Sequence, residues 1–418
     1  MLRRACYLRV RSVGCRSYSA STATTVGFIG LGNMGFPMAH NLLKAGVDVL
    51  CFDANRANVD RLALLGAKPA DSVEQVAAQT HMIFSVLPKD EVVTSVVLGD
   101  EAKPGSGLLA NMAPGALHVG CSTIHPNTSR ALDAKHREAK TRYVAAPIFA
   151  RPDGMEAHQA NFVVSGSDAA AVEQASQWLA KCTDGRVAPF STEDPGAANA
   201  VKLCGNFLIA TAIESMAEAL ALLEANGVDR VQAMQFYSST FMNSVVHKGY
   251  GQRVSERDHR LGGFALELGY KDQRLAHQLA MECQVPMPFL STLIDRFLSE
   301  CAKGRSDLDW SAIGLGVCES RGVDVSEAID RSRAGQAPPP HGHPFLIGQL
   351  LRVDYWNLRL DEEIRRDVEM RKKRQAKFAE PLLQKNGLSS ECKQRLDQVT
   401  PFTRTTKEYR RTRGERNE

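Results

Sequence analysis

The stretch VGFIGLGNMGFPMAHNLLKAGVDVLCFD, Val26 to Asp53, decides the fold. Val26–Ile29 is a short apolar run of the kind a buried parallel strand requires. Gly30, Gly32 and Gly35 then spell G-x-G-x-x-G in a loop that also holds Leu31, Asn33 and Met34. The first glycine permits a tight turn, and the second lets the backbone approach a pyrophosphate. The third lets the following helix pack close to the strand, with its N-terminal amides facing the phosphates. Gly46 closes that helix, Val47–Phe52 returns as a second strand, and Asp53 ends it. An acid at this spacing accepts the hydroxyls of a ribose. The order strand, glycine turn, helix, strand, acid predicts a dinucleotide site built from Gly30 to Gly35 and Asp53. The carboxylate would repel a 2′-phosphate, which favours NAD, while Arg56 nearby keeps NADP open.

Outward from this unit, short apolar strands continue to alternate with helical stretches to about Arg186. Met82–Leu87, His118–Cys121, Tyr143–Ala146 and Phe162–Ser165 read as strands, which predicts a doubly wound parallel sheet. Ligands of such sheets lie beyond the carboxyl ends of the strands. Leu87-Pro88 and Ser122-Thr123 occupy such ends and are expected to face the cofactor. After Pro195-Gly196 the pattern changes. Ala197 to Ala225 reads as one uninterrupted helix stopped by Gly227, with Val201, Leu208, Ala212, Met216 and Leu223 on an apolar face. Helical patterns continue to about Val317, broken at Pro286 and Pro288. The expected architecture is an α/β Rossmann domain over residues 25–193 and an all-α domain over 194–325, joined by the long helix.

The chain has 418 residues, of which 44% are hydrophobic, enough for more than one domain. Its first 24 residues hold Arg3, Arg4, Arg9, Arg11 and Arg16 among Ser, Ala, Cys and Tyr, and no acid precedes Asp48. That composition suits a mitochondrial transit peptide, and Arg16-Ser17-Tyr18-Ser19 resembles a matrix-peptidase site; a plain basic tail is the alternative. Loss of these arginines takes the net charge from +4 to about −1, leaving no electrostatic footprint for nucleic acid. The ten cysteines are scattered without metal-ligand spacing, so neither a metal site nor a disulfide framework is expected. The longest apolar candidate, Asn206–Leu223, carries Glu214 and Glu218, which argues against a membrane span.

Residues 326–343 read as a proline-rich linker containing His341 and His343, a weak pair for a metal. Residues 344–418 are highly charged. Phe345–Phe378 reads as an amphipathic helix, either a solvated face or a docking stripe for a protein partner.

The chemistry turns on Lys202 and Asn206, four residues apart on one helical face. A lysine within an apolar face is either a snorkelling surface residue or a positioned proton donor. An ammonium suits carbonyl reduction because it donates to the oxygen as hydride reaches the carbon. That role needs its pKa lowered by burial or by a neighbouring cation, and Lys271 is a candidate neighbour.

Five ordered motifs point to a family. They are GFIGLGNMGFPMAHNLLKAG, SVLP at Ser85–Pro88, CSTIHP at Cys121–Pro126, GAANAVKLCGN at Gly196–Asn206 and GYKDQRLA at Gly269–Ala276. In these, residues Val26 to about Leu315 resemble the β-hydroxyacid dehydrogenases, the group containing 3-hydroxyisobutyrate dehydrogenase. The resemblance implies a Rossmann domain, a helical domain that supplies part of the active site, and a homodimer or homotetramer. It places the catalytic lysine at Lys202 and a substrate-binding asparagine at Asn206. It also implies a cofactor-contacting lysine at Lys271, cofactor neighbours at Leu87, Pro88 and Thr123, and a substrate neighbour at Ser122. Cys121 and Cys204 flank these positions and read as packed thiols.

One departure stands out. Members with known hydroxy-acid substrates carry D-A-P-V-S-G-G, whose serine and glycines hold the substrate carboxylate. Here Ala145-Ala146-Pro147-Ile148-Phe149-Ala150-Arg151 stands in that place, as in a branch reading A-A-P-V-F-G-R-P. Phe149 is expected to narrow the pocket or make it more apolar. Arg151 either replaces the lost donors by gripping a carboxylate or lies on the surface. The reading is therefore an NAD-dependent oxidoreductase of the mitochondrial matrix acting on a small 3-hydroxy acid or aldehyde acid. The alternative is a non-catalytic NAD-binding scaffold acting through its C-terminal extension.

Overall fold

The computed structural model describes residues 25–100 and 102–338. Its first half runs β1 (Val26–Ile29), α1 (Gly35–Lys44), β2 (Val49–Phe52), α2 (Arg56–Ala63), β3 (Lys68–Pro69) and α3 (Val73–Gln79). It continues β4 (Met82–Ser85), α4 (Asp90–Leu98), β5 (Leu117–Gly120), α5 (Pro126–Glu138) and β6 (Arg142–Ala145). These six strands are parallel and ordered 3-2-1-4-5-6, the dinucleotide-binding arrangement. Both faces are buried, as the near-continuous apolar strands require. Val26, Phe28 and Phe84 point into one cluster with Met38 and Leu42 of α1, while Ile29 and Ile83 point into another with Val76 and Val93.

The sheet does not stay parallel, which corrects the sequence expectation. It is extended by β7 (Ile148–Phe149), α6 (Pro152–Glu156), β8 (Asn161–Gly166), α7 (Ala169–Leu179) and β9 (Val187–Ser191). β6 and β7 both pair antiparallel with β8, so the chain folds back through α6 like a hairpin instead of crossing the sheet. β9 then pairs parallel with β8. Strands as short as β3 and β7, two residues each, leave too little alternation to be read in advance.

The helical half comprises α8 (Ala197–Ala225), α9 (Arg230–Ser239), α10 (Val245–Glu256), α11 (Leu266–Glu282), α12 (Pro288–Ala302), α13 (Ile313–Ser320) and α14 (Ser326–Arg333). Its core gathers Phe297, Trp310 and Ile313 against Ile213, Met216 and Leu220 of α8. α8 has the predicted bounds and ends at Gly227 with φ +75°. Its buried face differs from expectation, however: Leu208 is 65% exposed, while Lys202, Asn206 and Glu214 are buried. By length and composition alone α8 is long and apolar enough to cross a membrane. Its apolar residues are instead spent on the two halves of this fold. The boundary expected at residue 325 also moves. Ala328 and Ser332 of α14 are buried, so Ser326–Arg333 is a packed helix and not linker. The expected transit peptide, His341, His343 and the charged extension 344–418 lie outside the described residues.

Two buried side chains seat the start of α8 on the sheet and so place the catalytic candidates. Ser165 of β8 accepts from Ala198 N and donates to the Pro195 carbonyl, both at 2.9 Å. Asn199 accepts from Ile124 N at 3.2 Å and donates to Ser129 Oγ at 2.8 Å.

Candidate active site

The glycine loop folds as its spacing requires. Gly30 has φ +90°, and a Cβ there would lie 2.2 Å from the Val86 carbonyl oxygen. A Cβ on Gly35 would lie 1.9 Å from the Gly30 oxygen, so α1 can start this close only with glycine. Gly32 is different. A side chain there would meet no protein atom within 4 Å, so its bareness leaves an approach for something outside the chain. The Asp53 carboxylate is fixed from both sides, accepting from Leu31 N and from Asn55 N, the latter at 2.7 Å. An uncovered glycine loop, a helix start and a backbone-held carboxylate at the end of β2 fit a dinucleotide. Arg56 is turned to Asp60 at 3.0 Å and Asp71 at 3.5 Å.

The ends of β4 and β5 are tied together beside this loop. Leu87 N donates to Ser122 Oγ at 2.8 Å. Lys271, from α11 of the helical half, donates to the Thr123 carbonyl at 2.6 Å and the Pro88 carbonyl at 3.1 Å. The expected cofactor neighbours Leu87, Pro88, Thr123 and Lys271 thus form one connected edge.

Lys202, joined to Lys271 through Asn206 and Asp272, is 8% exposed. Its ammonium donates to Asn206 Oδ1 at 2.9 Å, and Asn206 Nδ2 donates to Asp272 Oδ2 at 2.6 Å. A donor-only lysine on one side and an acceptor carboxylate on the other leave one orientation for the amide. Asp272 Oδ1 lies 3.1 Å from Lys271 Nζ, so the four side chains alternate in role from α8 to α11. Burial pushes the Lys202 ammonium down to about 8; Asp272 opposes the shift and Lys271 adds to it. Lys271 therefore acts as the neighbouring cation expected from the sequence, with desolvation the larger cause.

The divergent loop separates into two roles. The Phe149 ring is half-buried with its centroid 4.2 Å from Lys202 Nζ, which puts it beside the catalytic candidate. Arg151 is turned elsewhere, to Asp309 Oδ2 at 2.8 Å and Tyr250 Oη at 3.4 Å. Asp309 is fully buried and accepts as well from Phe264 N and from Ser311 N and Oγ. The carboxylate grip expected of Arg151 is thus taken by the protein's own acid, in a tie between the sheet half and the helical half. Cys121 is buried and its thiol is pushed well up, but Cys204 is exposed and not packed as expected.

Three contributors escaped the sequence reading: Asp272, which orients Asn206; Asp309, which holds Arg151; and Gly205, which meets Phe149. Asp272 had a signal in its adjacency to Lys271. Gly205 had one as an isolated glycine within a long helix. Among the described residues no group of three metal-ligating side chains forms a metal site.

Comparisons with known proteins agree with this arrangement. Residues 25–190 match the family described as the NAD binding domain of 6-phosphogluconate dehydrogenase. Residues 196–337 match the NAD-binding family of NADP-dependent 3-hydroxyisobutyrate dehydrogenase. A 3-hydroxyisobutyrate dehydrogenase of Pseudomonas aeruginosa is 33% identical over 298 residues, covering 69% of this chain and 97% of the relative. The mitochondrial 3-hydroxyisobutyrate dehydrogenase of Mus musculus is 28% identical over 305 residues, 71% and 88% of the two chains. A solved 3-hydroxyisobutyrate dehydrogenase of Mycobacterium tuberculosis with L-serine superposes with TM-score 0.62 at 25% identity, covering 71% of this chain and 99% of the other.

Proposed function

The chain belongs to the β-hydroxyacid dehydrogenase family of NAD(P)-dependent oxidoreductases, and from that premise we propose that it interconverts a small hydroxy compound and its carbonyl form, with Lys202 as proton donor and acceptor. The observation that carries the reading is the Lys202 ammonium, buried, oriented by Asn206 and held near pKa 8. When bound, the nicotinamide supplies hydride to the carbonyl carbon or accepts it from the alcohol carbon.

The side chains supply the rest. In reduction, Lys202 Nζ gives a proton to the carbonyl oxygen and is left as a neutral amine; in oxidation, the amine takes the hydroxyl proton. A pKa near the working pH keeps both forms accessible, the condition for efficient general acid–base catalysis. Asn206 aims the ammonium and Asp272 keeps Asn206 from turning. Ser122 accepts from Leu87 N, which leaves its hydroxyl proton for the substrate oxygen. Asp53 favours the ribose hydroxyls of NAD, and the pairing of Arg56 with Asp60 and Asp71 supports NAD over NADP.

The names of the relatives put small 3-hydroxy acids and aldehyde acids first among substrates to try. The acid-free, arginine-rich first 24 residues support delivery to the mitochondrial matrix. Phe236, Phe241 and Val245, each more than 60% exposed on the helical half, support a homodimer or larger homo-oligomer. The charged extension 344–418 is proposed to meet a protein partner.

The test is a turnover screen of the protein with NAD and NADP against small hydroxy acids and aldehydes, repeated with Lys202→Ala. NAD-linked turnover that disappears in the variant supports the reading. Turnover that survives removal of the amine would remove Lys202 from the chemistry.

A further inference from the structure

The corner of the site beside Lys202 carries an aromatic ring on a prepared seat. A Cβ added to Gly205 would lie 2.5 Å from Phe149 Cζ and 2.6 Å from Cε1. The ring therefore rests on the bare backbone of α8, one turn from Lys202. A glycine within a helix costs about 1 kcal/mol relative to alanine, and here that cost opens the space the ring fills. The same ring has its centroid 4.2 Å from Lys202 Nζ.

Two of the neighbouring cations are held by the protein, and the third is committed to the reacting oxygen in the role proposed above. Arg151 is held by Asp309 and Tyr250. Lys271 donates to the Pro88 and Thr123 carbonyls and pairs with Asp272. Lys202 bonds Asn206 and carries the proton that the reaction moves. The amide nitrogen of Asn206 is drawn towards Asp272 and is not free for a substrate anion. A substrate carboxylate laid against the Phe149 ring would lose water to a surface that offers no hydrogen-bond donor, at a cost of several kcal/mol. An alkyl or ester flank would meet the ring without that cost.

We propose that the substrate is uncharged beside its reacting carbon, and that Phe149, seated on Gly205, is the aromatic wall that selects an apolar flank over a carboxylate. The proposal rests on the oxidoreductase reading above and, within it, sets this chain's substrate apart from the acids that the names of the relatives suggest.

The test uses the full chain with NAD and a matched pair of probes, 3-hydroxyisobutyrate and its methyl ester, which differ in charge but little in shape. The ester is expected to exceed the acid in kcat/KM by about tenfold or more. Phe149→Ser removes the ring and is expected to cut that ratio at least about tenfold. Gly205→Ala removes no atom and favours the helix, yet its methyl must displace the ring, so the ratio falls in the same direction. Protection against thermal unfolding by ester and by acid, with NADH in place of NAD so that no hydride can be accepted, reads the same preference without turnover. A wild-type preference for the acid in both readouts, or a ratio that neither variant moves, would overturn the aromatic wall. Lys202→Ala separates this from the parent reading: equal turnover in that variant sinks the catalytic role of the lysine, whatever the ratio shows.

Discussion

The glycine loop and the Phe149–Arg151 strap are held in opposite ways. The loop is fixed by its own neighbourhood: Leu31 and Asp53, the two ends of its principal tie, are 22 positions apart. Its bonds are made by backbone amides, and its steric demands are glycine's. The strap is fixed by side chains from far along the chain. Arg151 reaches Asp309 across 158 positions, and Phe149 rests on Gly205 of α8. A region held by its own backbone tolerates little change in sequence. A region held by distant side chains can be rebuilt one contact at a time, so the substrate half can diverge while the cofactor half stays recognisable.

That contrast makes the two halves separable by mutation. The largest expected effect is Lys202→Ala, which should lower kcat/KM by about 10²–10⁴-fold. Its dissociation constant for NAD, measured by fluorescence titration, should stay at the wild-type value. A collapse of cofactor affinity in this variant would show that the halves are coupled. Next comes Arg151→Ala. It leaves Asp309 buried without its cation, for which about 3–5 kcal/mol of unfolding free energy is expected to be lost. Denaturant titration checks this, and a loss below about 1 kcal/mol, the range of a surface pair, would demote the strap to decoration.

How much of this was legible beforehand follows the same division. The Rossmann unit, the 29-residue α8 and the helical second half were all readable, because strand and helix periods and glycine spacing are local signals. Lys202 and Asn206 were readable as a pair because a four-residue spacing puts them on one face whatever the tertiary context. The antiparallel return of β8 was not readable, since its pairing with β6 and β7 follows from the path of the chain through α6. The partner of Arg151 was not readable either. Nothing near Asp309 marks it as the acid that would occupy this guanidinium, and only the folded helical half brings them together. The burial of Lys202 beside an exposed Leu208 ran against a simple apolar-face reading of α8. Packing of α11 against the face that carries the lysine decides it.

Asp53→Ala tests the cofactor half alone. If Asp53 holds the ribose hydroxyls as proposed, its removal should weaken NAD by about 10–100-fold, the worth of a charged hydrogen-bond acceptor. kcat at saturating NAD should hold near the wild-type value. An equal fall in kcat would mean that Asp53 also positions the reacting ring.

The smallest effect is the most specific, because it concerns tuning and not the presence of a group. In the proposed role Lys202 must be protonated to reduce a carbonyl and neutral to oxidise an alcohol. With its pKa near 8, reduction should fall as pH rises through about 8, and oxidation should rise over the same interval. Asp272 raises that pKa against the desolvation that lowers it. Asp272→Asn keeps the shape and an acceptor for Asn206 but removes the negative charge. The neutral amine then gains, so both limbs should move to lower pH: reduction fails earlier and oxidation starts earlier. Asp53→Ala, on the other half, should leave both limbs where they are once NAD is saturating. If the limbs stay near pH 8 in Asp272→Asn, the titrating group is not the lysine that Asp272 faces, and the tuning assigned to the substrate half belongs elsewhere.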